Sequence, residues 1–472
     1  MACKKEFLET DPKGSLIAKK IQDYELLLNS GTLQARASQI VMSDEVAGFE
    51  PLFSVGLTGV MSADDLRAFA WEDDIYIDPL ANDEYLTISR SLYASNKIIN
   101  EVMDAEGGTV AQKQSIRAEA QAIRAFLYFQ LVNYYGKPYA EETSGTDLSV
   151  PIIKQADVTQ TKFDRATVQA VYELIESDLK EAIPALPSYI SHRVRMSKTT
   201  ADALLGKVYV HMGRFDEAIP HLEASLEGFT KASIPVGLYD FQKELAPGGS
   251  FFPNMPPMGP SRMQNVYADR EIMFLKQTLS YYVFASGGIV LSPETVGLYA
   301  QSDRRLDFSV GLPFPSIPGA VPPYPLGMRR GWGRSGVVSA GINAPDVYLL
   351  LAECKARKGE LGAAVTQLEY LRKNRMSGTD AHIPTAIAGN EQELVRFILD
   401  ERIREFALLG ERWFDMRRLS VDPIYSNTVK YQHLVYNQDG TVAKTYTLKP
   451  ERLTFRLPIG ITQTNPELPQ NP

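Results

Sequence analysis

Apolar side chains recur at steps of three or four through 111–136, where Ile116, Ala120, Ile123, Leu127, Leu131 and Tyr134 share one stripe. That period is the spacing of a helix with one face against a core. Segment 165–183 repeats it with Val168, Val171, Ile175, Leu179 and Ala182, until Pro184 and Pro187 stop it. Near the C-terminus, Asn390 followed by Glu393 reads as a helix start, and the apolar run through Leu394, Ile398 and Ile403 ends near Gly410.

A repeat underlies part of this pattern. Gly206, Gly213, Ala218, Ile219, Leu222 and Glu223 align at one constant offset of 146 with Ala352, Gly359, Ala364, Val365, Leu368 and Glu369. This is the spacing of a tetratricopeptide-type helix pair. A small residue lets the second helix approach, Gly makes the turn, and Ala seats the returning helix. Such a pair cannot bury its apolar face alone, so further degenerate pairs are expected, with 111–136 and 165–183 as candidates.

Between the pairs the chain changes character. Residues 235–345 hold 14 of the 29 prolines and 14 of the 33 glycines. Stretches such as 251–260 and 313–325 cannot be helix interior. Aromatics stay frequent there, which predicts ordered loop rather than disorder. A second irregular, acidic and aromatic stretch spans about 44–85. Long ordered loops on a helical scaffold are where binding usually resides. The fold class expected is mainly α, with tetratricopeptide-like pairs as scaffold, long irregular insertions and little β.

Composition narrows the function classes. The 472 residues carry 49 Lys+Arg against 57 Asp+Glu, a formal charge of −8. No basic stripe offsets phosphates, which argues against nucleic acid as a partner. No apolar run reaches the ~20 residues of a spanning helix. Only two cysteines occur, so neither a disulfide framework nor a Cys-rich zinc site is expected. Cys354 sits in an apolar helical run and reads as a small buried hydrophobe. Cys3 precedes a polar stretch through Pro12, where a bacterial lipoprotein would carry its acylated cysteine, and Met1-Ala2 reads as a start that replaces an export signal.

Enzyme signatures are missing. There is no GxSxG elbow, HExxH, Walker loop or GxGxxG, and the five histidines are scattered. No catalytic residue, cofactor or metal is therefore assigned. The acidic run Glu72, Asp73, Asp74, Asp78, Asp83 and Glu84 lacks the glycine and terminal glutamate of an EF-hand. It reads first as a solvated loop, then as partners for sugar hydroxyls, and last as glycosidase carboxylates. The doubly charged segment Glu401–Arg418 reads as an ion-pair network that locks the last helices to the scaffold. A sugar ring stacks its C–H face on an aromatic plate and needs polar partners at its rim. Trp71, Asp73, Tyr76, Asn82, Tyr324, Arg330 and Trp332 are the candidate ligand-binding residues. Trp332, between Gly331 and Gly333, is least like a core residue.

An ordered set of segments resembles the SusD/RagB outer-membrane lipoproteins of Bacteroidetes. The set begins with Cys3–Pro12, Tyr93-Ala-Ser-Asn96 and Arg117–Gly136. It continues through Glu271-Ile-Met-Phe274, Asp303-Arg-Arg305, Asp346–Glu353 and Glu401–Arg418, and ends with Leu457-Pro-Ile459 and Gln470-Asn-Pro472. The resemblance implies one SusD-like unit over 1–472. Its parts would be a tether at 1–15, ligand-side regions at 44–85 and 235–345, helix pairs at 111–226, and a pair plus C-terminal helix at 346–420. It implies a non-catalytic, surface-exposed lipoprotein of the cell outer membrane, with Cys3 as lipid attachment. Such a protein passes oligosaccharide to a SusC-like TonB-dependent transporter in nutrient uptake. The RagB branch makes peptide the alternative cargo. From outside the family, a glycosidase using the 72–84 carboxylates and a tetratricopeptide adaptor are the competing readings.

Overall fold

The computed structural model describes residues 18–30, 32–53, 62–79, 83–251, 266–279, 287–313, 322–331 and 337–472. Among them, ten helices have eight residues or more. They are α1 Ile21–Leu28, α2 Glu84–Glu101, α3 Val110–Tyr135, α4 Val168–Ala182, α5 Lys198–His211, α6 Phe215–Phe229, α7 Ala344–Arg357, α8 Leu361–Lys373, α9 Glu391–Phe406 and α10 Glu411–Ser420. Strands are short, and the chain is mainly α.

Local signals set the helix ends. Thr109 Oγ1 accepts from Gln112 N at 3.2 Å, and Gln112 Oε1 accepts from Thr109 N at 2.8 Å, a reciprocal cap that starts α3. Thr167 and Asn390 cap α4 and α9 from one side only, accepting from Ala170 N and Glu393 N. The single stripe expected on α3 understates its burial. Every residue from Ala118 to Tyr135 is buried, because α2 and α4 pack against it and Phe455 N reaches Tyr134 O at 2.8 Å from the C-terminal tail.

The two repeated segments are helix hairpins, α5–α6 and α7–α8, and α7 also packs on α6. Gly213 and Gly359 close their turns at φ +73° and +76°, where an L side chain is strained. A Cβ on Gly206 would lie 2.6 Å from Leu222 Cγ, so the small residue is what allows α6 to approach. The α3 and α4 helices also pack together, but a long connection over 136–167 joins them. Cys354 and His211 are buried inside the hairpins. Burial pushes the Cys354 thiol pKa up and the His211 imidazole pKa well down.

The segment 44–85 is less irregular than expected. Its strand β1 (Val46–Phe49) lies between β2 (Ile289–Leu291) and β3 (Gln432–Tyr436), and β4 (Val442–Thr447) completes a sheet of order β4-β3-β1-β2. Val46 and Val435 face the main core, whereas Ala47, Phe49, Val290 and Tyr436 form a second apolar cluster on the other face. All four residues of β1 are buried. A strand buried on both faces carries no alternation of polar and apolar positions to read.

Buried ion pairs join the helices to the Pro/Gly-rich segment. Glu401 on α9 accepts from Arg305 and Arg404 at 2.6 Å each, and from Arg372. Glu405 binds Arg305 at 3.0 Å and Arg375 at 2.8 Å, and Arg375 also reaches Glu271 at 2.8 Å. A second set runs from Arg402 to Asp346 and Asp415, both at 2.7 Å, and from Arg418 to Asp415 at 2.8 Å and Glu353 at 2.7 Å. Lys207 sits between Asp346 and Glu411 at 2.9 and 2.7 Å. Arg412 clasps Asp44 through two bonds of 2.7 and 2.8 Å. Burial raises the pKa of Glu401, but Arg305, Arg404 and Arg372 outweigh it and hold the carboxyl well below its ordinary range.

Gly206→Val is expected to cost ~1–3 kcal/mol by overpacking against Leu222, and Gly213→Ala about 1 kcal/mol through its positive φ. Urea unfolding of the two variants checks this. Equal midpoints for Gly206→Val and wild type would refute the close approach.

Candidate functional site

Of the seven sequence-predicted residues, four form two pairs on opposite sides of the four-stranded sheet, Asp73 is exposed, and two lie outside the described residues. On the main-core side, Trp71 is 4% exposed and its ring stacks on His433 of β3 at 3.7 Å. Its Nε1–H donates to Met42 O at 2.9 Å, and its backbone sits at φ +52°. A left-handed backbone at a bulky residue persists only where surroundings over-determine it. Here the stacked ring and the indole bond do so. The ring is therefore a packing element and does not stand open to solvent.

Tyr76, also buried, donates to Glu84 Oε2 at 2.6 Å and meets Ser38 Oγ at 2.5 Å. Ser38 N donates to Glu84 Oε1 at 3.2 Å. Asp73 differs from both. Its side chain is 57% exposed, 3.3 Å from Arg452 and 3.9 Å from Lys449. Asp74 pairs with Arg456 at 3.0 Å.

On the other face of the sheet, the Tyr324 ring lies edge-on to Phe49 at 5.0 Å, and its hydroxyl donates to Gly287 O at 2.8 Å. Arg330 is buried, and its Nε donates to Leu312 O at 3.0 Å. Burial lowers its pKa. Gly287, at φ +67°, brings these two together, since a Cβ there would lie 2.8 Å from the Tyr324 hydroxyl and 3.8 Å from Arg330 Cδ. Tyr324 and Arg330 thus share one environment, while Trp71 and Tyr76 share another. Asn82, Trp332 and Cys3 lie outside the described residues.

The 72–84 carboxylates have separate tasks. Asp83 caps α2 by accepting from Leu86 N at 2.7 Å, and Glu84 belongs to the Tyr76 contact. Burial raises Asp83 to a pKa of about 6 and Glu84 to about 7, in the second case against the lowering effect of the Tyr76 hydroxyl. Glycosidase chemistry needs two carboxyl groups facing one bond; here Asp83 is a helix cap, Glu84 a buried acceptor, and Asp73 and Asp74 are partners of arginines. Among the described residues, no group of His, Cys, Asp or Glu is placed to hold a metal ion.

Sequence reasoning missed a cavity of about 120 Å³ between the Pro/Gly-rich segment and the end of α9. Ile272, Tyr299, Leu306, Phe308 and Asn343 contribute apolar and polar wall, and Arg305 and Glu405 of the ion network reach it. Gly331, next to Trp332 in the chain, lines it too. The readable signal was the Asp303-Arg-Arg305 turn together with Glu401–Glu405, whose charges require burial partners from distant segments. Arginine pairs hold Glu401 and Glu405, so the arrangement offers a shaped, hydrogen-bonding wall.

Known proteins resemble this chain at both ends and along its whole fold. Residues 6–210 match a SusD-like family described as starch-binding and associating with the outer membrane, and residues 345–472 match the SusD family. A SusD-like protein from Formosa agariphila is 24% identical over 355 residues, and the match spans 65% of this chain and 65% of that relative. A SusD superfamily structure from Bacteroides thetaiotaomicron superposes with a TM-score of 0.73 at 17% identity, over 96% of this chain and all of the other. A putative sugar binding protein from Bacteroides vulgatus gives 0.70 at 19% identity, over 97% and 99% of the two chains. These likenesses at low identity establish the fold. No described helix is long and apolar enough to cross a membrane.

The raised pKa of Glu84 has a sign that can be tested. Its folded value of about 7 exceeds the ordinary ~4.3 of an unfolded glutamate, so the folded state holds more protons between these limits. Its contribution to stability is present below the unfolded value and is lost as pH rises toward 7. The Glu84→Gln variant removes this proton, and the difference in Tm between variant and wild type is expected to move in the variant's favour from pH 5 to pH 8. A difference independent of pH would refute an elevated Glu84 pKa.

Proposed function

The chain belongs to the SusD/RagB family, and from that premise we propose that it is a non-catalytic, cell-surface binder of oligosaccharide that delivers its ligand to a SusC-like TonB-dependent transporter. The observation that carries this reading is the family match at both ends of the chain, 6–210 and 345–472. The name of the Bacteroides vulgatus neighbour, a putative sugar binding protein, supports the ligand class. In this reading Cys3 carries the lipid that holds the protein at the outer membrane, aided by the transporter, because one acyl chain alone binds weakly.

The ligand site is proposed on the side built from 44–85 and 235–345. Trp332 and Asn82 are the proposed direct contacts, with exposed Asp73 at the rim. Trp71 and Tyr76 on one face of the sheet, and Tyr324 and Arg330 on the other, are proposed to act indirectly, by holding the described parts of the two segments rigid. Rigidity of this kind lowers the ordering cost of binding.

Isothermal calorimetry against a glycan panel tests the function. Wild type is expected to bind at least one oligosaccharide, with Trp332→Ala weakening it at least tenfold, since a lost stacking ring is worth ~1 kcal/mol beyond its buried area. Asp73→Asn is expected to weaken binding less. Binding to mixed peptides together with indifference to every glycan would overturn the ligand class, and undiminished binding by Trp332→Ala would overturn the site.

A further inference from the structure

A second cavity lies at the connection between α4 and α5, where part of the Pro/Gly-rich segment meets it. Its volume is about 470 Å³, within the ~300–1,000 Å³ common for small-ligand sites. Two tyrosines line it, Tyr189 from that connection and Tyr267 from the Pro/Gly-rich segment. Both are conspicuously open to solvent, at 44% and 50% exposure. Stacking on a ligand is what two half-exposed aromatic plates at one cavity can do.

The cavity is built rather than accidental. Arg193, 2% exposed, donates from Nε to Tyr267 O at 3.1 Å and from Nη2 to Pro235 O at 2.6 Å, and also reaches Ile272 O. One buried guanidinium thereby fixes the Tyr267 segment against the α4–α5 connection. That connection is pinned again by Lys198 N to Pro187 O at 2.8 Å, Ser233 N to Ile190 O at 2.9 Å and Leu275 N to Arg193 O at 2.7 Å. Its aromatic rims therefore stand on a backbone tied at several points, and little ordering remains for a ligand to impose.

The polar side of the cavity has a definite chemistry. Arg195 donates to both carboxylate oxygens of Glu119 on α3, at 2.6 Å each, and approaches Asn29 Oδ1 at 3.5 Å. Three of its five N–H donors are directed so, which leaves others for a ligand. Val194 N donates to His192 Nδ1 at 3.3 Å, which puts the proton of the neutral ring on Nε2. Asn29 and Ser191 add groups that donate and accept. The charges of Arg195 and Glu119 cancel, so the cavity favours an uncharged ligand over a phosphate or carboxylate. An uncharged ring with a flat apolar face and hydroxyls around its edge matches both sides.

We propose that the cavity between Tyr189 and Tyr267 is a binding site for one neutral pyranose unit, stacked on the tyrosines with its hydroxyls on Arg195, Asn29 and His192. The proposal does not depend on Trp332 being a ligand contact.

Saturation-transfer NMR on the full chain with maltotriose, cellotriose and xylotriose tests it, with adenosine as an uncharged control that can also stack. Wild type and Trp332→Ala are both expected to show transfer from at least one trisaccharide. Tyr189→Ala/Tyr267→Ala in the Trp332→Ala background is expected to weaken that binding at least tenfold, each single tyrosine variant at least threefold, and Arg195→Lys to an intermediate degree. The single variants decide the matter should the double variant melt early by circular dichroism. Transfer that vanishes with Trp332→Ala alone overturns this site and leaves the proposed function standing. Tyrosine variants that bind as their parent does, or transfer from adenosine and from no trisaccharide, overturn it as well. Loss of all trisaccharide transfer in the tyrosine variants, with the calorimetric effect of Trp332→Ala absent, supports this site and counts against the other.

Discussion

The arrangement of this protein depends on burying a large set of charges in paired networks. An isolated ion in a protein interior costs several kcal/mol, and removal of one partner of a buried pair costs ~3–5 kcal/mol. Glu401 meets that constraint through Arg305, Arg372 and Arg404, and Arg402 through Asp346 and Asp415. These partners come from α7, α8, α9, α10 and the turn before Ser309. A shift of any one element would strand several charges together, so the network specifies a relative placement that hydrophobic contact alone would leave loose.

That placement is what gives the irregular chain a form. The regular elements among the described residues of 266–345 that precede α7 are all short. They gain position from Glu271 on Arg375 and Arg305 on Glu401 and Glu405, and from short strands paired with distant partners. The same logic recurs without a counter-ion at Arg193, which binds three carbonyl oxygens. Rigid presentation of loops is the physical requirement of a binding protein that performs no chemistry on its ligand. Carbohydrate binding, the role of the family, fits a molecule whose buried polar groups are spent on holding shape.

The candidate residues illustrate why aromatic type alone does not show exposure. Trp71, Tyr76 and Tyr324 are candidate stacking residues by sequence, and each is packed, with its polar atom satisfied by Met42 O, Glu84 or Gly287 O. A local sequence window registers that a tryptophan stands among polar residues. It does not register that β3 will bring His433 onto the ring from a position 362 residues later. Tyr189 and Tyr267, which are open, stand in windows that look no different.

The sequence by itself determined the helices, their caps and turns, the repeated hairpins and the family. Each of these rests on periodicity or on fixed spacing within a few tens of residues, as with Thr109 and Gln112 or Gly206 and Gly213. The tertiary structure alone decided that α3 is buried all round, that β1 lies inside a sheet, and which aromatic rings reach solvent. These depend on contacts between segments hundreds of residues apart, such as Asp44 with Arg412, and burial is a property of the neighbours that arrive rather than of the residue that waits for them.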